Sequence, residues 1–304
     1  MSDPHFSIVT PSYNQAESIV DTLDSVVQQT YSHVEHFVVD GGSTDGTVDI
    51  LRDHETTSAS DDTVSFRWLS EPDEGQSDAI NEGFERATGD IVAWLNSDDV
   101  YFDPNVLSRV AGYFNRYDAD IVYGDLAYLD QYSTVTEIDV RPNFDREKLP
   151  YRILIGQPAT FFDQEVVEAE QLDTSLDYSM DYEYWLRLAE RFDFRHVSDV
   201  LAGFRSYKTQ KSQDQAAMAA ELDSILTEYQ TGHGGAGVIL DNAETEIKRL
   251  GRAVTVTCRM HQNQLELAFD GEFAPLRTML SNLGPGVDDA TKAWRRWRSD
   301  GTSG

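Results

Sequence analysis

Four short apolar runs, each breaking off into polar and turn-forming residues, leave this chain few folds to choose from. The run His5–Thr10 stops at Pro11-Ser12-Tyr13-Asn14, and "VEHFVVD" runs into Gly41-Gly42-Ser43-Thr44-Asp45-Gly46. "SFRWLS" gives way to Glu71-Pro72-Asp73-Glu74-Gly75-Gln76, and "DIVAWL" to Asn96-Ser97-Asp98-Asp99. Between them lie three stretches whose apolar residues recur at helical spacing: "AESIVDTLDSVVQQ", "GTVDILRDH" and "GQSDAINEGFERATG". The last has Ala79, Ile80, Phe84 and Ala87 on one side and Gly89 as its expected stop. Strand and helix in strict alternation specify an α/β fold, a Rossmann-like and mainly parallel sheet flanked by helices. Ligands in such sheets bind beyond the carboxyl ends of the strands, so the four polar ends are expected on one rim.

After about residue 105 the alternation weakens. "NVLSRVAGYFNRY" reads as a helix, "ADIVYGDLAYLD" as a strand pair or hairpin, and "MDYEYWLRLAERF" as a helix burying Trp185, Leu186, Leu188 and Ala189. A further helix is expected over 212–230, then a linker at "GHGGAG", then strands at "AVTVTCRM" and "QLELAFDG". The expected division is 1–105 and 106–212 as two parts of one domain, and 213–304 as a C-terminal extension, helical and then mixed.

Charge excludes some functions. The 304 residues carry 54 acidic against 24 basic side chains, a formal charge of −30, and only five of the basic residues are Lys. Such a chain repels nucleic acid. Acidity spread through every segment reads as adaptation to high salt, where dense counterions screen self-repulsion. The single cysteine, Cys258, allows no internal disulfide. "MSDPHFSIVT" is not a signal peptide and no run of about 20 apolar residues occurs, so a cytoplasmic location is expected, soluble or peripheral on the membrane.

Two adjacent carboxylates, Asp98 and Asp99, at the end of a buried strand need a reason, because like charges repel strongly where the dielectric is low. One reading is a surface turn; the other is a divalent cation.

The motifs "SIVTPSYNQAESIVDTLDSVVQQTY", "VVDGGSTDGT", "SEPDEGQSDAINEGFERATGDIVAWLNSDD" and "MDYEYWLRLA", over about residues 6–212, resemble glycosyltransferase family 2, inverting enzymes of the GT-A fold. The resemblance implies a nucleotide-diphosphate sugar as donor and Mg²⁺ or Mn²⁺ as cofactor. Clustered phosphate charge could not enter a site lined with Asp without a cation, and hard oxygen ligands suit these two. It implies Asp98 as metal ligand, with Asp99 assisting through water or the donor sugar. Asn96 stands where the family usually has the first Asp of Asp-x-Asp, which removes one negative charge; Asn96 could then accept from ribose or coordinate through its carbonyl, and Ser97 is expected to bind the donor. Pro11 and Tyr13 resemble the nucleobase wall and Asp40 the acceptor of the base N–H, with turn capping as the alternative. Asp73 and Gln76 resemble a base- or ribose-facing loop. Asn81 shares a helix face with Asp78, turned toward the sugar or toward solvent. Asp45 reads better as a helix N-cap.

An inverting transfer needs a base for the acceptor hydroxyl. The resemblance places it at Asp181, with Glu183 turned away on the same helix. "GQPATFF" resembles the acceptor-side strand, its aromatics core or sugar platform. The polymerising branch of the family that the chain resembles carries Gln-x-x-Arg-Trp after the base; none follows here, so the resemblance implies one sugar per encounter. Arg205, Lys208 and Lys211 could approach a phosphate or be ordinary surface residues. "TKAWRRWR" at 291–298 reverses the local charge beside two Trp, which suits an anionic membrane surface or a packed terminal helix. The expected acceptor is a lipid-linked, dolichol phosphate-type glycan precursor for surface-layer N-glycosylation, in a chain of haloarchaeal composition. Transfer to polysaccharide or another surface glycan, or sugar-nucleotide binding without catalysis, are the alternatives.

Overall fold

The computed structural model describes residues 3–58, 64–151, 153–206, 215–233, 256–261 and 264–269. The chain divides into two compact units, Met1–Leu222 and Asp223–Gly304. The first unit is built on one nine-stranded mixed sheet.

Its parallel half holds β1 (Phe6–Ser12), β2 (Val34–Asp40), β3 (Val64–Ser70) and β4 (Ile91–Trp94), side by side in the order β3-β2-β1-β4. They alternate with α1 (Ile19–Val27), α2 (Thr47–Ser58) and α3 (Gln76–Arg86), as the periodicity predicts. β1 and β2 are buried at every position, as strands covered on both faces must be.

Two details differ from the reading of the sequence. β1 continues through Pro11 to Ser12, with Pro11 opposite Val39. Pairing of β1 with β4 ends at Val9, whose carbonyl accepts from Leu95 N. Backbone groups alternate sides along a strand, so the N–H that Pro11 lacks falls on the side where no partner remains. Gly89 is not the helix stop, since α3 ends at Arg86. A Cβ at Gly89 would lie 2.6 Å from Ser7 N and 2.7 Å from His5 O, so the glycine permits close approach to β1.

The mixed half adds β5 (Val100–Tyr101), α4 (Val106–Arg116), β6 (Ile121–Leu129), β7 (Val135–Asp139), β8 (Thr160–Asp163), α5 (Gln164–Ala169), α6 (Met180–Leu188) and β9 (Phe194–Arg205). β8 is antiparallel to both β4 and β6, and joins the two halves into one sheet. β6 is one continuous strand, and its hairpin partner is β7. An aromatic cluster fastens α6 to the sheet: Trp94 stacks on Phe162 at 5.8 Å and on Trp185 at 5.7 Å. Such pairs add about 0.5–1.5 kcal/mol each beyond the area they bury. α7 (Gln215–His233) reaches the unit boundary. In the second unit the two expected strands, β10 (Val256–His261) and β11 (Gln264–Phe269), are present and pair antiparallel. Residues 234–237 of the expected linker, Lys208, Lys211 and the Trp/Arg segment 291–298 lie outside the described residues.

Candidate active site

The four polar strand ends do meet, and their loops are knitted together by side-chain bonds. Asp40 is fully buried at the end of β2; its carboxylate accepts from Ser43 N at 2.9 Å, from Ser43 Oγ at 2.5 Å and from Ser70 Oγ at 2.6 Å. Both oxygens therefore cap the turn and tie it to β3. Asp45 accepts from Thr47 N at 3.0 Å and from Ala16 N at 3.0 Å; it bonds the first amide of α2 from one residue outside the N-cap expected of it, a position that Gly46 holds, its carbonyl accepting from Ile50 N at 3.2 Å. Pro11 is buried, while Tyr13 is 62% exposed on the lip. The carboxylate of Asp73 lies so close to Gly41 that a Cβ there would sit 2.6 Å from its Oδ2. Burial holds the Asp73 carboxyl above the usual carboxylate range.

Asn96 is the hub between the two halves. Its Oδ1 accepts from Gln76 Nε2 at 2.9 Å, and its Nδ2 donates to Gln157 Oε1 at 2.9 Å and to Asp99 Oδ2 at 3.3 Å. Gln157, just before β8, donates in turn to Trp94 O at 2.8 Å. An Asp at position 96 would lose both donations and face Asp99, so Asn suits this arrangement of neighbours.

The paired carboxylates are unlike. Asp99 is fully buried and turned inward, its Oδ1 accepting from Arg205 N at 3.0 Å. Burial, and next the adjacent Asp98, push its pKa up. The structure thus places Asp99 away from the donor role expected of it; it holds the loop together. Asp98 is 8% exposed at the rim, and its carbonyl accepts from Arg205 Nε at 3.0 Å. Arg205 is itself buried, with Nη2 on Asp21 at 2.7 Å and Nη1 on Ser133 Oγ at 3.0 Å. It neither reaches for a ligand nor faces solvent, but braces the Asp98 loop. Ser97 is buried beside it. Asn81 serves the fold instead of facing sugar or solvent. Its Nδ2 donates to Leu172 O and its Oδ1 accepts from Leu172 N, both at 2.9 Å, which clips the 172 loop to α3.

Asp181 lies in the first turn of α6, one turn before Trp185. That spacing puts both on one helix face, and Trp185 stacks on Trp94, whose carbonyl Gln157 binds. Arg141 closes the circuit: a Cβ at Gly156, next to Gln157, would lie 3.4 Å from its Nε, and its charge acts on Asp181. Burial pushes the Asp181 carboxyl up to about 6, against smaller lowering by backbone N–H groups and Arg141. Glu183 is taken by Arg187, with Nε on Oε1 at 2.9 Å. Gln157 and Arg141 went unnoticed in the sequence, where nothing marks either except the "GQPATFF" stretch around Gln157.

Among the described residues no three His, Cys, Asp or Glu side chains converge to hold a metal. One rim carboxylate, Asp98, nevertheless fits a hard cation that takes its remaining ligands from diphosphate and water, as Mg²⁺ commonly does. A cavity of about 260 Å³, lined by Pro4, Asp90, Phe114 and Tyr117, opens at the opposite ends of β1 and β4, away from this rim.

A parallel half-sheet with its polar ends on one rim, extended by a mixed half and flanked by helices, is a GT-A-type architecture. S. aureus TarS in complex with UDP-GlcNAc superposes with a TM-score of 0.60 at 15% identity, over 88% of this chain and 97% of that one. The mannosyltransferase PcManGT from Pyrobaculum calidifontis, in complex with GDP-Man and Mn²⁺, gives 0.59 at 19% identity, over 75% and 64%. At these identities the likeness shows the fold. Residues 7–161 match the glycosyl transferase family 2 domain, and the chain belongs to that family. A PGL/p-HBAD biosynthesis glycosyltransferase of Mycobacterium tuberculosis is 36% identical over 163 residues, 53% of this chain and 60% of that protein, so the chain spans under two thirds of that relative's length. Among the described residues no helix is long and apolar enough to cross a membrane.

Proposed function

We propose that this chain is an inverting, metal-assisted glycosyltransferase that moves one sugar from a nucleotide-diphosphate sugar to a lipid-linked glycan precursor. The observation that supports the reading is the Trp94–Trp185 stack, 5.7 Å between ring centroids, since Trp94 ends the strand that leads into Asp98 and Trp185 lies one turn after Asp181. Pro11, Tyr13 and Asp73 line the base end of the donor cleft, over the turn that Asp40 holds, with Gln76, Asn96 and Ser97 toward the sugar. A divalent cation held by Asp98 and the diphosphate would stabilise the charge that builds on the departing phosphate.

Asp181 takes the proton of the acceptor hydroxyl as its oxygen attacks the anomeric carbon. The bond to the diphosphate breaks on the far side and its electron pair leaves with the phosphate, so the anomeric configuration inverts. A carboxyl with a pKa of about 6 is ionised at neutral pH and is a stronger base than an ordinary Asp.

The lipid-linked acceptor is supported by the Trp/Arg segment at 291–298, and surface-layer N-glycosylation as its setting by the charge of −30; the mycobacterial relative is by its name a PGL/p-HBAD biosynthesis glycosyltransferase. Contact with the cytoplasmic face of the membrane belongs to the same reading. A screen of sugar nucleotides with Mn²⁺ and Mg²⁺ at molar salt tests it, read as hydrolysis or as transfer to dolichyl phosphate-linked glycans. Turnover with one donor and inverted product is expected. No turnover with any donor would overturn the enzyme reading, and transfer only to free polysaccharide would overturn the acceptor.

A further inference from the structure

The loop that leads into the base-bearing helix is held by a residue beyond both the family match, which ends at 161, and the motif resemblance, which ends near 212. Glu221 lies on α7, inside the first unit. Its Oε2 accepts from Asp177 N at 2.8 Å, and its Oε1 from Tyr178 N at 2.8 Å and Ser179 N at 2.6 Å.

Ser179 N is the N-cap amide of α6, for which helix geometry supplies no acceptor, and Asp177 N and Tyr178 N lie in the loop just before it. Ser179, at the N-cap position, makes no capping bond with its own side chain. One carboxylate from a distant helix therefore holds the lead-in to α6, through three charge-assisted bonds, the stronger kind. Asp181 follows two residues after the last of these amides. The direction in which its carboxyl leaves the first turn is set by how that turn begins. The charged side chains acting on Asp181 are Arg141, which lowers its pKa, and Glu221, which raises it.

We propose that Glu221 is a positioning residue for Asp181, so that α7 completes the acceptor half of the site. The proposal rests on Asp181 being the base. Arg205 and Asn96 brace the donor half, and Glu221 touches neither, so its removal is expected to act on proton transfer and leave donor binding alone.

The test uses the full chain at molar salt, with turnover read as hydrolysis of whichever sugar nucleotide the donor screen selects. In Glu221→Gln and Glu221→Ala, kcat falls about ten- to a hundredfold, the cost of misplacing a reacting group by about an ångström. Affinity for the Mn²⁺–nucleotide diphosphate, measured by calorimetry, stays within twofold. The acid limb of the pH profile moves to lower pH in Glu221→Gln, because the group that raises Asp181 has lost its charge. Hydrogen exchange at amides 177–179 accelerates in Glu221→Ala. Glu221→Asp keeps the charge but not the reach; it loses kcat without that displacement of the limb. If the variants lower the unfolding midpoint while kcat and the acid limb stay put, Glu221 is only a staple and the proposal is overturned. Failure of the underlying reading looks different, since Asp181→Asn would then turn over normally whatever stands at position 221.

Discussion

Replacing Asp181 by Asn should make the protein more stable and nearly inactive at once. The carboxyl moves from an ordinary 3.8 in the unfolded chain to about 6 in the fold, chiefly because burial disfavours its charge. At about 1.4 kcal/mol per pH unit this corresponds to a penalty of about 3 kcal/mol, an upper bound because the group is partly open to solvent. The folded state holds the proton more tightly. The penalty is therefore absent below about pH 4, grows between pH 4 and 6, and is complete above pH 6. Asn has nothing to ionise and escapes it. Urea unfolding of both proteins at fixed molar salt should give equal stabilities near pH 4 and a gap of up to about 3 kcal/mol in favour of Asp181→Asn at pH 8. Turnover should fall by about 10²–10⁴, the usual worth of a general base. In the native protein turnover should decline as pH drops through 6. A variant that is stabilised equally at both pH values, or one that keeps its turnover, would rule out a buried base at this position.

Other changes separate the donor half from the fold. Gly41→Ala would drive a methyl group into the Asp73 carboxylate, a side-chain end that can move, so the urea midpoint should hold while calorimetric nucleotide affinity drops about tenfold. Arg205→Met strips three side-chain bonds from the Asp98 loop, α1 and the β6–β7 turn. It should cost about 2–4 kcal/mol by urea unfolding and weaken Mn²⁺–nucleotide binding in the same protein. Asn96→Asp should destabilise the metal-free protein by about 1–3 kcal/mol, since it breaks two donations and faces Asp99; added Mn²⁺ should raise its melting temperature by more than it raises that of the native chain.

The parallel half of the fold was legible because its signals are local. Each run of apolar residues, each helical stripe and each polar break sits within about a dozen consecutive residues. β9 and β5 escaped notice. β9 mixes buried and exposed positions without a steady period of two, and β5 is two residues long. The site was legible as a set of residue types and far less as a set of bonds. Asp98 and Asp99 look alike in sequence, and only Arg205, more than a hundred positions away, tells them apart by binding the backbone of one and the carboxylate of the other. Asn81 shares its helix face with Asp78, yet its amide is spent on a loop 91 residues downstream. Glu221 and Gln157 carry no local mark of their roles, because their partners are brought to them only by the folded sheet.

Whether one cleft holds both a cation at Asp98 and the proton acceptor at Asp181 can be decided by anomalous scattering from Mn²⁺ in crystals grown with a nucleotide diphosphate. A single Mn²⁺ peak is expected within about 2.3 Å of an Asp98 carboxylate oxygen, bridged to both phosphates, with Asp181 opening onto the same cleft. A manganese ion bound elsewhere while the nucleotide occupies the rim, or an Asp181 side chain walled off from that nucleotide, would show that the two carboxylates do not share a site.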